Sequence, residues 1–202
     1  MTFDRKREEL AALGIDPARL PPGQYHTERW PVLHAGVVPE VDLATWDFTV
    51  DGLVAERKSW TYDEFRALGA ETRVADVHCV TKWSLFDAEF EGVPTETVLD
   101  HIELLPGAEY VLVNAEHGFT ANLPLEDFAQ PENLFAWGFR GGELTPDHGW
   151  PLRLVVPHLY FWKSVKWVRG FTVLSEDEPG FWERNGYHMR GDPWTEERYW
   201  GD

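Results

Sequence analysis

Cysteine is nearly absent: Cys79 is the only one in 202 residues. No internal disulfide can form, and the paired-thiol signatures of structural zinc and of attached haem are excluded. Cations are scarce as well. With 18 Lys and Arg against 35 Asp and Glu, the formal charge is -17, so the chain lacks the basic footprint that nucleic acid or anionic lipid requires. No apolar run approaches the roughly 20 residues of a membrane span, so no membrane insertion is expected. The amino-terminal stretch Met1 to Leu13, with Asp4, Arg5, Lys6, Arg7, Glu8 and Glu9, carries no export signal, and a cytoplasmic location is expected. The sequence also lacks a glycine-rich phosphate loop, HExxH, GxSxG, repeats and low-complexity segments.

What is present is a core-forming composition. At 43% hydrophobic, with 11 Trp, 12 Phe and 6 Tyr, the chain can bury a substantial interior, and the aromatics are expected mainly in packing. Phe3 to Leu13 predicts a short helix stopped by Gly14, followed by an extended arm through Leu20-Pro21-Pro22-Gly23 that should pack loosely. Residues 1–28 are read as this arm and 29–202 as one domain. Trp46 to Val50 predicts a strand turning at Asp51-Gly52 into Leu53-Val54. Thr61 and Glu64 have capping-box spacing for a helix from Tyr62 to Leu68.

Further along, a helix is expected from Thr95 to Leu104. A hairpin should join Tyr110–Val113 to Phe119–Leu123 across His117-Gly118, and Pro124 should open a helical turn ending at Phe128. Strands are expected at Leu134 to Phe139, Leu152 to Val156 and Val165 to Leu174, the last with Trp167, Phe171 and Val173 on one face. The aromatic and charged tail from Glu176 reads as ordered coil wrapping the body. Strands outnumber helices without regular alternation, which indicates an α+β fold with mixed β-sheets and short helices.

Arg73 to Val77 reads as a strand that runs out into a loop at Cys79, a usual place for a site. A thiolate is a soft metal ligand, but a single one cannot hold a bare metal, so most other ligands would have to come from a cofactor. The plain alternative is a small buried hydrophobe. His78, next to Cys79 on a strand, faces the other way and is a poor catalytic base for it. His34, in the proline-flanked loop Trp30 to Pro39, is another candidate ligand or a solvated side chain.

From His148 to Ser175 there is no Asp or Glu, where the overall acidic content predicts about five. Arg153, Lys163, Lys166 and Arg169 fall in that gap. It is either a pocket for an anion, phosphate above all, or a buried strand pair that excludes carboxylates and lets cations reach outward.

Three strings together resemble the sulfite oxidase family of molybdopterin oxidoreductases: His78-Cys79-Val80-Thr81-Lys82-Trp83-Ser84, His148 to Pro157, and Lys163-Ser164-Val165-Lys166-Trp167. The resemblance spans Trp30 to Asp202. It implies that Cys79 coordinates molybdenum, whose remaining sulfurs come from a single pyranopterin (Mo-molybdopterin). It implies further that Arg153, Ser164, Val165 and Lys166 grip the pterin phosphate, that His148 is a polar ring contact, that His34 faces the cofactor, and that Asn114 and Ala115 lie near it. True sulfite oxidases follow the cysteine with sulfite-binding arginines, whereas Lys82, Trp83 and Ser84 stand here, and their immunoglobulin-like domain is not expected after Leu174. The string is instead similar to the bacterial branch that reduces methionine sulfoxide. The expected activity is oxygen-atom transfer at a small sulfur- or nitrogen-containing substrate, with an unidentified electron donor or acceptor protein. Lys82 or Arg140 is expected to attract an anionic substrate. The rivals are a cysteine hydrolase or transferase, a non-catalytic binding protein that kept the fold, and a true sulfite oxidase.

Overall fold

The computed structural model describes residues 3–202, with side chains from residue 5; Met1 and Thr2 lie outside the described residues. Helix α1 (Phe3–Ala12) and a tight turn at Pro17–Arg19 lead into strand β1 (Tyr25–His26). Strand β2 (Asp47–Gly52) returns as β3 (Lys58–Thr61). Thr61 then starts helix α2 (Tyr62–Arg66) through a reciprocal capping box with Glu64, as the spacing predicts. The hairpin β4 (Glu71–His78) and β5 (Trp83–Pro94) follows, then helix α3 (Thr95–Leu99). Next come the hairpin β6 (Tyr110–Ala115) and β7 (Thr120–Pro124) and helix α4 (Leu125–Phe128). Strands β8 (Leu134–Phe139), β9 (Gly142–Glu143), β10 (Arg153–Val155) and β11 (Val168–Leu174) precede helix α5 (Phe181–Arg184).

Two mixed sheets result, the α+β architecture expected. One runs β1-β5-β8-β10, with β4 on β5 and β9 on β8; the other runs β3-β2-β11-β6-β7. Parallel pairs are β1 with β5 and β11 with β2. One apolar cluster is built on Phe48, Phe65, Phe128, Phe135 and Phe171, with Phe48 and Phe65 ring centroids 4.4 Å apart. A second, around Trp83, Phe90, Tyr160 and Phe161, contains Cys79.

Several local expectations shift. Strand β2 continues through Asp51-Gly52, because its pairing with β11 extends to Gly52 opposite Val173. Helix α3 stops at Leu99, since the segment beyond it is drawn to the 53–55 segment: Ala55 N–H donates to Glu103 O, and Leu105 N–H to Leu53 O. Strands β10 and β11 lie in different sheets and are not a pair. A register shift between Val168 and Gly170 sends Val168 into the core and leaves Trp167 on a cavity wall.

The arm is not loosely packed. Leu10 and Leu20 are buried against Phe86, Arg19 bridges Asp76 and Asp87, and β1 registers Tyr25 against Trp83.

Candidate functional site

The β4–β5 hairpin positions the thiol. Strand β4 ends at His78, and the turn Cys79-Val80-Thr81-Lys82 is closed by Lys82 N–H on Cys79 O and Cys79 N–H on Trp83 O, both at 2.9 Å. Alternation turns His78 away from its neighbour, so its Nδ1 lies 2.9 Å from Ser84 Oγ. Cys79 Sγ accepts from the Thr81 hydroxyl at 3.2 Å and borders a cavity of about 510 Å³. Burial pushes the Cys79 thiol up, against the opposing hydrogen bond from Thr81. Burial thus disfavours the thiolate, the reactive form of a cysteine. His78, spent on Ser84, is not its base.

His34, Arg153, Ser164, Val165 and Lys166 border the same cavity. Arg153 is the largest wholly buried side chain. Its Nη1 donates to His148 O and its Nη2 to Ser164 O, each at 2.8 Å. Ser164 turns its hydroxyl back to accept Val156 N–H at 2.9 Å. Lys166 Nζ donates to Asp147 O at 2.6 Å. These two cations converge where Gly149, in left-handed backbone at φ 111°, leaves room: a Cβ there would come within 3.0 Å of Arg153 Cβ and 3.2 Å of Lys166 Cβ.

Charge separates these two from the others in the acid-free stretch. Lys163 is neutralised by Glu183, and Arg169 by Asp47 and Glu116. Among the described residues, Arg153 and Lys166 have no carboxylate within ion-pair distance. Burial pulls the Arg153 guanidinium down to about 9. Burial, then the charge of Arg153, pulls the Lys166 ammonium down to about 7. A buried charge without a counter-ion is unfavourable. Lys163 does not reach outward as the strand-pair reading expects: it is wholly buried and paired with Glu183.

The remaining candidates separate. His148 is not on the cavity wall; its ring stacks on Trp30 at 4.1 Å and its carbonyl receives Arg153. Burial, then Arg153 and Lys166, pull its imidazole down to about 4, so it is neutral near pH 7. His34 is exposed, with Nδ1 3.1 Å from Gly36 O. Lys82 and Arg140 are exposed and border no part of the cavity, so neither is placed to draw in an anion. Asn114 is tied to Thr172, and it is the following turn, Glu116 to Phe119, that reaches the cavity.

An aromatic-rich pocket is the lesser reading of the composition, but sequence reasoning did not name the residues of the wall: Trp30, Phe161, Trp162, Trp182 and Tyr187. Burial, then Tyr199 and Cys79, raise the Tyr187 phenol, which therefore keeps its proton. The unpatterned aromatics of the tail signal only Trp182 and Tyr187; Trp30, Phe161 and Trp162 arrive from elsewhere in the chain.

The chain matches the family described as oxidoreductase molybdopterin binding domain over residues 34–182. It is 46% identical to the uncharacterized oxidoreductase YuiH of Bacillus subtilis, over 91% of this chain and 93% of that one. It is 29% identical to a putative protein-methionine-sulfoxide reductase subunit, YedZ1, of Azospira oryzae, over 76% of this chain and 58% of that one. The match to the protein-methionine-sulfoxide reductase catalytic subunit MsrP of Gluconobacter oxydans is 25%, over 77% and 57%. The fold is similar to that of the sulfane dehydrogenase SoxCD from Paracoccus pantotrophus, with a TM-score of 0.63 and 20% identity over 69% of this chain and 41% of that one. No helix among the described residues is long and apolar enough to cross a membrane. A cavity with a thiol on its wall and unneutralised cations at one end agrees with these likenesses: the chain belongs to the molybdopterin-binding oxidoreductase family, in its sulfite oxidase-like fold.

Proposed function

We propose that the chain carries molybdenum with a single pyranopterin in this cavity and catalyses oxygen-atom transfer at a small sulfur- or nitrogen-containing substrate. The observation that carries the proposal is that Cys79, Arg153 and Lys166, drawn from separate segments, border one cavity. Its volume lies in the range of small-molecule sites, roughly 300–1,000 Å³. The residues suit the group: a thiolate for the metal, aromatic walls for a flat ring system, and two cations lacking a counter-ion for a phosphate.

In this reading Cys79 holds the metal as thiolate, since coordination removes the proton that burial would keep. Arg153 and Lys166 neutralise the phosphate, and the segment Ser164 to Lys166 lines its seat. His148 acts through its backbone, by orienting Arg153. When bound, the molybdenum centre supplies two-electron chemistry between its six and four oxidation states. Tyr187, whose phenol keeps its proton near neutral pH, borders the cavity as a donor for a bound acceptor, and Trp162 and Trp182 line the same wall.

The substrate is read as a sulfoxide-like acceptor of the kind named for the YedZ1 and MsrP relatives. Sulfite is disfavoured because the cation beside Cys79, Lys82, is exposed and off the cavity wall. A cytoplasmic location and a separate electron-carrying partner protein complete the proposal.

The test is molybdenum and pterin content per chain for the native protein beside Cys79→Ser, together with dye-coupled sulfoxide reduction and sulfite oxidation. Loss of molybdenum in Cys79→Ser with sulfoxide turnover in the native protein is expected. Equal molybdenum in both proteins rejects the ligand assignment, and turnover of sulfite alone rejects the substrate assignment.

A further inference from the structure

The turn that carries Cys79 is too short to fix its own shape, and segments from far apart in the chain meet on its backbone. Three of its carbonyls accept hydrogen bonds from outside it. Cys79 O takes the Gln24 side-chain amide at 3.0 Å. Val80 O takes Arg198 Nη1 at 2.8 Å. Lys82 O takes Tyr25 N–H at 2.8 Å.

Gln24 is fully buried and Arg198 nearly so. The Arg198 guanidinium also covers the Tyr160 ring at 4.8 Å and reaches Pro22 O at 3.4 Å, which joins tail to arm. Its nearest carboxylate, on Glu196, stands at 3.5 Å and is half exposed. The guanidinium's shortest hydrogen bond is the one to Val80 O in the cysteine turn.

Burying an arginine and a glutamine is costly unless the bonds they make are needed, and apolar packing would stabilise a mere junction of arm and tail more cheaply. We propose that Gln24 and Arg198 are positioning residues for Cys79. From the arm and the tail they clasp its turn, so that the sulfur is presented to the cavity in one geometry. The proposal rests on the reading of Cys79 as the metal ligand for its purpose, but the clasp itself is testable without metal.

The experiment compares Arg198→Gln, Gln24→Met and Arg198→Lys with the native chain, and uses Arg190→Gln as a control. Arg190 lies on the same tail but pairs with Asp127 and does not touch the turn. In metal-free protein, the rate of Cys79 alkylation by iodoacetamide reports how freely the turn opens. Loss of one bond from the clasp is expected to speed it about tenfold in Arg198→Gln and Gln24→Met. Arg198→Lys, which keeps the charge and a donor, is expected in between and serves if Arg198→Gln does not fold. Removing the positive charge would by itself favour the thiol and slow alkylation, so acceleration reports geometry.

In metal-loaded protein, the thiolate-to-metal charge-transfer band should shift and molybdenum per chain should fall in the same variants. Native alkylation rates in Arg198→Gln and Gln24→Met, or an equal acceleration in Arg190→Gln, overturn the clasp. Faster alkylation combined with full molybdenum retention by Cys79→Ser keeps the clasp and removes the ligand reading instead.

Discussion

Lys163 and Glu183 form an ion pair with both side chains wholly buried, Nζ to Oε1 at 2.6 Å. It ties α5 to the segment before β11, and Trp162 Nε1 donates to the same Oε1 at 2.8 Å. Glu183→Gln leaves an ammonium with neutral partners only, the Asn122 and Met189 oxygens. A loss of about 3–5 kcal/mol is expected, the usual cost of stripping one member from a buried pair. Urea unfolding measures it, and a double-mutant cycle with Lys163→Met should show coupling above about 1 kcal/mol.

Arg153→Lys keeps the charge and loses the fork. A lysine cannot serve His148 O, Ser164 O and a bound phosphate together. Pterin retention per chain, read after gel filtration, is expected to fall about 10- to 100-fold in affinity. Native retention would show that charge alone suffices there.

The depressed Lys166 ammonium gives a pH dependence with a definite sign. The folded lysine, pulled from 10.5 to about 7, gives up its proton while the unfolded one still holds it. Ligand-free protein therefore gains stability from this residue as pH rises from about 7 toward 10.5. Anion binding runs the other way. The cation is present below about 7 and lost above it, so phosphate affinity in metal-free protein should fall with rising pH, with a midpoint at or above 7 because the bound anion favours the charged form. Calorimetric titration of the native chain beside Lys166→Gln checks this, and the variant should show a flatter profile.

Gly170→Ala should not fold. At φ 139°, an added Cβ would stand 1.8 Å from Thr49 O in the parallel partner strand. The expected cost is above about 4 kcal/mol, the range of backbone collisions that neighbouring strands cannot relieve. A native-like unfolding curve would contradict the β2–β11 pairing.

Local chemistry was legible wherever one segment decides its own shape. The Thr61 and Glu64 cap, the β6–β7 hairpin, and Cys79 at the end of a strand all follow from neighbours in sequence. Strand β5 was overlooked although Phe86, Ala88 and Phe90 alternate with Asp87, Glu89 and Glu91, because the polar Thr81 to Ser84 reads as an interruption. Pairings that depend on distant residues were not legible. Examples are β2 continuing through Asp51-Gly52 to meet β11, and Leu104 taken up opposite Val54. At the site, the cations were visible in the acid-free stretch. Which of them lack a counter-ion depends on where Glu183, Asp47 and Glu116 arrive from, and no local pattern carries that.

Trp30 and Tyr187 share one cavity although most of the chain lies between them. While the polypeptide is being made, the chamber therefore has no complete wall until α5 and the residues after it have left the ribosome. A truncated product ending before Phe181 would keep Cys79, Arg153 and Lys166 but lack the wall that Phe181, Trp182 and Tyr187 supply.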